Sequence, residues 1–159
     1  MYLPGMKPQR IYTDTSAIGG CLDKEFRDGS LRLFETFEKG EATVVVSDLT
    51  RLELERAPAA VRAVLDRIPP GSLEDVEFTS EAEELAEQYI TGGVIGASMR
   101  LDAQHIATAT VHRVDVLVSW NFKHIVNLPR IHGYNSVNLR LGYSMLEIRS
   151  PREVILYEG

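Results

Sequence analysis

The sequence predicts an α/β protein, a three-layer α/β/α fold around a central, mostly parallel sheet. Three observations carry that expectation. Short apolar runs, above all "ATVVVS" (42–47) and "DVLVSW" (115–120), have the continuous hydrophobicity of strands buried on both faces. Longer stretches with helical periodicity lie between such runs, which implies βα units feeding a parallel sheet. The length, 159 residues, suits one well-cored domain and is short for two, so residues 1–159 are expected to form a single domain.

The elements follow in order. "RIYTD" (10–14) reads as a first strand ending near Asp14, and 15–28 as helix, although Gly19 and Gly20 weaken it. "DGSLRLFETFEKG" spaces Leu31, Phe34 and Phe37 three apart and closes on Gly40. After the 42–47 strand, "DLTRLELERA" and "PAAVRAVLDRI" read as helices, the second opened by Pro58. "PPG" (69–71) breaks the chain, and "LEDVEFT" predicts a third strand. Ser80 and Glu83 match the S-x-x-E capping pattern of a helix to about Thr91. "LDAQHIATATVHRV" is a helix rich in small residues, "FKHIVN" a short helix, and Pro129 reopens helix for a dozen residues. "LEIRS" is the last strand, with Ser150-Pro151-Arg152-Glu153 capping a final turn.

Composition narrows the class. Hydrophobic content of 44% and charged content of 25% fit a soluble globular protein. No apolar run is long enough to span a bilayer, and "MYLPGMKPQR" lacks the features of a signal peptide. The single Cys21 excludes an intrachain disulfide framework and a thiolate zinc cluster. Together these point to the cytosol. The net charge of −6 argues against holding nucleic acid by overall charge, leaving a local basic patch or bound cations as the means.

In a parallel sheet, ligands bind beyond the carboxyl ends of the strands. Asp14 ends the first strand, Glu53 lies in the helix after the second, Asp102 in the first turn of the helix before "VLVSW", and Asn121 just beyond that strand. Each of the three acids has a plain structural alternative. Asp14 suits an N-cap, Asp102 complements a helix dipole, and Glu53, on the side of Leu49 and Leu52, has Arg56 one turn on. His105 shares the face of Asp102 and reads more readily as a satisfied, partly buried histidine than as a ligand. Jointly, with Thr15, Ser16 and Ser119, they map to one edge. Converging carboxylates without cysteine select a hard cation, Mg²⁺ or Mn²⁺, which suits phosphodiester chemistry. Competing chemistries lack their marks: no second Asp two residues after Asp14, no Lys-Ser/Thr closing "TGGVIGAS", and no G-x-S-x-G.

The order "IYTDTSAIGG", "VVVSDLTRLELER" and "LDAQHIATATVHRVDVLVSWNFKHI" resembles the PIN-domain family, and within it the VapC-like toxin ribonucleases of toxin–antitoxin pairs. The resemblance runs from about residue 10 to 128. It implies a PIN-like fold, a Mg²⁺- or Mn²⁺-dependent endoribonuclease acting on RNA, frequent homodimers and an antitoxin that covers the pocket. By similarity the family's acidic positions fall on Asp14, Glu53 and Asp102, and its fourth falls on Asn121. An amide still offers a carbonyl oxygen but adds no charge, which weakens a second cation more than a first. Ser119, Lys123 and His124 are then expected near substrate, Arg130 and Arg140 along its path, and Trp120 or Phe122 against a base. The alternative is a catalytically impaired PIN-like module that binds RNA or a protein partner.

Overall fold

A computed structural model describes residues 9–155. Five strands form one sheet in the order β3-β2-β1-β4-β5, and every pairing is parallel. The strands are β1 (Gln9–Thr13), β2 (Ala42–Ser47), β3 (Leu73–Val76), β4 (Val116–Val118) and β5 (Ile148–Arg149). The helices are α1 (Thr15–Gly19), α2 (Arg27–Glu38), α3 (Asp48–Glu55), α4 (Ala59–Asp66), α5 (Ser80–Thr91), α6 (Arg100–Val111), α7 (Leu128–Arg140) and α8 (Pro151–Ile155). No helix among the described residues is long and apolar enough to cross a membrane.

Strand alternation sorts the side chains into two cores. Tyr12, Val45 and Leu117 face a core built with α5, α6 and α7. Their neighbours Ile11, Val44, Val46, Val116 and Val118 face the opposite core, shared with α1, α2 and α4. Period-two alternation in strands that are apolar throughout is what a sheet covered on both faces requires. The three-layer α/β/α expectation therefore holds, and β2 has the bounds read from the sequence.

Four local expectations are corrected. Helix over 15–28 is interrupted: α1 stops at Gly19, a 3-10 turn follows at Gly20–Leu22, and α2 starts at Arg27. Thr79, not Ser80, caps α5, its hydroxyl accepting from the Ala82 amide. Pro58 precedes α4 as its N-cap residue, with extended ψ. "FKHIVN" forms a turn and not a helix: the Asn121 carbonyl accepts from both Ile125 N (3.2 Å) and Val126 N (2.8 Å). The extended backbone of Asn127, which caps α7, then ends that turn. Gly40 does adopt the left-handed conformation (φ 75°) expected after a helix. A reciprocal cap opens α8, where Ser150 N donates to Glu153 Oε1 and Glu153 N to Ser150 Oγ.

Candidate active site

The strand order reverses between β1 and β4, so the crevice of this sheet opens at their carboxyl ends. Thr13 pairs with Val118, and the next residues, Asp14 and Ser119, leave the sheet side by side. Asp14 caps α1. Its Oδ1 accepts from Ala17 N (3.0 Å) and from Ser16 Oγ (2.7 Å), and its Oδ2 accepts from Ser119 Oγ (2.6 Å). The two serines are tied in turn to the segment that follows β4: Trp120 N donates to Ser16 Oγ (3.0 Å) and Asn121 N to Ser119 Oγ (2.9 Å). A carboxylate so clamped is held in one orientation by charge-assisted bonds.

Glu53 is reached from the other side. The sequence offers Arg56 as its partner, but Arg56 falls at the C-cap of α3 and is exposed. His105 takes that place, with Nε2 2.6 Å from Glu53 Oε1. Leu52, expected on the inner side with Leu49, is instead 60% exposed. His105 is buried, and its Nδ1 lies 2.6 Å from the hydroxyl of Tyr12, which is 2.7 Å from Ser47 Oγ. Burial keeps the Tyr12 phenol protonated far above its ordinary range. A carboxylate only accepts, so His105 Nε2 carries a hydrogen. In the neutral ring, Nδ1 then accepts from Tyr12, and the Tyr12 oxygen accepts from Ser47.

Asp102 lies in the first turn of α6, partly buried. Its carboxyl titrates above the usual range, mainly because burial penalises the charge. Nearby His105 and His124 oppose the rise, while Asp14 and Glu53 add to it. The structure thus brings the three acids within electrostatic reach of one another. It leaves Asp102 without a hydrogen bond to a described residue to balance its charge. Three buried side-chain atoms among the described residues have no partner: Thr13 Oγ1, Thr15 Oγ1 and His124 Nδ1. All belong to segments at this same edge.

Asn121 Oδ1 accepts from Lys123 N (3.2 Å) and His124 N (3.0 Å), so the amide oxygen shapes the turn after β4. Lys123 is exposed on that turn. Trp120 is buried, stacked on Phe26 at 4.4 Å, with its indole nitrogen donating to Ser30 Oγ (2.8 Å), so it serves packing. Phe122 stays half exposed beside it.

The fit to a hard cation rests on the donor set. No three His, Cys, Asp or Glu side chains among the described residues are gathered closely enough to hold a metal ion as they stand. Glu53 is drawn to His105, and Asp14 to the serines. The oxygens of Asp102 and Glu53 Oε2 nevertheless remain as acceptors, and Asp14 keeps lone pairs beyond its three donors. Three carboxylates with no Lys or Arg bonded to them among the described residues fit a Mg²⁺- or Mn²⁺-type ion in donor type and charge.

Sequence reasoning passed over Tyr12 and Ser47 and read His105 only as a satisfied buried residue. A signal for Tyr12 was present, since at i−2 from Asp14 it shares that residue's strand face.

No protein-family model matches the chain, and no curated protein matches it in sequence. Solved structures do match in fold. VapBC2 from Rickettsia felis, bound to a DNA fragment from its promoter, is 16% identical with a TM-score of 0.56, over 89% of this chain and 98% of that one. FitAcB from Neisseria gonorrhoeae is 14% identical with a TM-score of 0.56, over 89% and 97%. VapC20 from Mycobacterium tuberculosis, a sarcin-ricin loop cleaving toxin, is 16% identical with a TM-score of 0.53, over 86% and 98%. The chain therefore has the PIN-like α/β/α fold of the VapC-type structures.

Proposed function

We propose that this chain is a metal-dependent endoribonuclease, the toxin of a toxin–antitoxin pair. Asp14, Glu53 and Asp102 would hold Mg²⁺ or Mn²⁺. The observation that carries the reading is Asp102, a partly buried carboxyl whose pKa is raised mainly by burial, with Asp14 and Glu53 adding to the rise, and which is matched by no hydrogen bond among the described residues. Such a group is costly unless something positive meets it. The fold shared with a sarcin-ricin loop cleaving toxin supports RNA as substrate, and the VapBC complexes support an antitoxin partner.

When bound, the cation lowers the pKa of a coordinated water and polarises a phosphoryl oxygen. The chain's own residues orient. Ser16 and Ser119 fix the Asp14 carboxylate, His105 fixes that of Glu53, and Asn121 shapes the turn of Lys123 and His124, which would meet a substrate phosphate. A second reading, a PIN-like module that binds RNA or protein without cleaving, draws on Asn121 in place of an acid and on the capture of Glu53 by His105.

Incubation with a pool of structured and single-stranded RNA separates them. The nuclease cuts with Mn²⁺ and stops with EDTA, while Asp14→Asn abolishes cutting without unfolding the protein. An intact RNA pool with the wild type and Mn²⁺ would favour the binding module.

A further inference from the structure

Beyond the acidic crevice lies an open groove of about 660 Å³, between the α5–α6 connection and the start of α7. We infer that it binds the phosphodiester backbone of single-stranded RNA flanking the cut site, an inference that rests on the ribonuclease reading.

Charge is the first support. The chain carries 23 acidic residues against 17 Lys and Arg. Yet no carboxylate lines this groove, and its charged residues are Lys123 and Arg130. Neither forms an ion pair with a described residue. Arg130 is fixed, its Nη1 donating to the Val94 carbonyl at 2.7 Å. The amino end of α7, thirteen residues long and capped by Asn127, adds its positive end to the same wall.

Shape is the second. Gly92, Gly93, Gly96 and Gly133 line the groove, and Gly93 and Gly96 leave backbone open to close approach. A Cβ at Gly133 would meet Val94 at 2.7 Å, so glycine there lets the loop settle on α7. A Cβ at Gly96 would meet nothing nearer than Ser98 Oγ at 3.9 Å, so that position faces free space. The lining has no aromatic side chain on which a base could stack. It offers cations and backbone, which position a strand without reading its sequence.

Location is the third. On the α7 side, the Tyr134 hydroxyl donates to the His124 carbonyl at 2.7 Å and so ties α7 to the turn after β4. Lys123 follows Asn121 by two positions on the same turn. The turn that Asn121 shapes at the end of β4 thus also supplies a cation to the groove. Arg140, expected on the same path, sits in the last turn of α7, about 15 Å along the helix from Arg130, and does not line the groove.

The test is fluorescence anisotropy with a labelled single-stranded RNA and Mg²⁺, in an Asp14→Asn parent so that the RNA stays intact. Gly96→Asp places a carboxylate in the groove at a position that tolerates a side chain, and Gly96→Ala controls for bulk. Gly96→Asp is expected to weaken binding about tenfold and Gly96→Ala less than about twofold, while Lys123→Gln flattens the slope of log K against log salt by roughly 0.7. Unchanged affinity and slope in both Gly96→Asp and Lys123→Gln overturn the groove, as does a parent that binds no RNA. Duplex DNA bound as tightly, with the same dependence on these residues, overturns the assignment to RNA. A wild type that cuts no RNA, beside an intact Lys123-dependent slope, overturns the ribonuclease reading and upholds the groove as an RNA site.

Discussion

His105 Nε2 stands 2.6 Å from Oε1 of Glu53, a residue 52 positions earlier, and this contact joins the helix after β2 to the helix before β4. It is the outer end of a line running back through Tyr12 to Ser47. Replacing His105 by Ala removes both of its bonds and leaves a cavity. We expect a loss of about 2–4 kcal/mol. Tyr12→Phe leaves His105 Nδ1 without its donor at smaller cost, about 1–2 kcal/mol. Urea denaturation of the two variants measures both, and a His105→Ala variant as stable as wild type would remove the network from the account.

Asp102 gives a pH signature. Its folded pKa lies above the ordinary value of 3.8, so the folded state holds the proton more tightly than the unfolded state. The stabilising contribution is full below the ordinary value and is lost as pH rises through the folded one. Asp102→Asn should therefore be more stable than wild type at pH 7, and its advantage should shrink as pH falls towards 3.8. Urea midpoints across that range decide the sign, and an advantage that grew on acidification would contradict it.

Packing against Trp120 makes a contrast between two glycines. A Cβ at Gly29 would meet two indole carbons at 2.9 Å, and the ring is held by Phe26 and Ser30. Gly29→Ala should destabilise by about 1–3 kcal/mol despite its helical site. At Gly19 a Cβ would meet nothing within 4 Å, so Gly19→Ala should stabilise by up to about 1 kcal/mol. Thermal melts of the pair should move in opposite directions.

Asn121→Asp places a carboxylate where the resemblance to the PIN-domain family leads one to expect it. Its oxygen can still accept from the Lys123 and His124 amides, so the turn is kept. Stability should change by less than about 1 kcal/mol, while affinity for Mn²⁺ rises. Calorimetry on the variant checks the second point, and weaker binding would show that the amide is the better partner there.

The sequence made the sheet plain because its signal is local: "ATVVVS" is β2 to the residue, and Asp14 follows β1 directly. The reach of the three acids to a common edge was legible too, since in a parallel sheet the carboxyl end of each strand lies on the same side. The partner of Glu53 was not. Sequence spacing offers Arg56, but the fold brings His105 across from another helix, and tertiary contacts of that range leave no local pattern. "FKHIVN" failed similarly. Its residues allow a helix, but the Asn121 side chain and carbonyl draw the backbone into a closed turn, and Asn127 restarts the chain.

A calorimetric titration of Mn²⁺ into the wild type and into Asp14→Asn and Glu53→Gln tests the central claim that these acids form one cation site. Both substitutions keep the shape of the side chain. The amide that replaces the Asp14 carboxylate keeps an oxygen able to accept from the Ala17 backbone N–H, so the fold should survive. The account predicts saturable binding by the wild type, weakened about tenfold or more in each variant while both variants stay folded. Absence of binding by the wild type, or equal affinity in all three proteins, would contradict it.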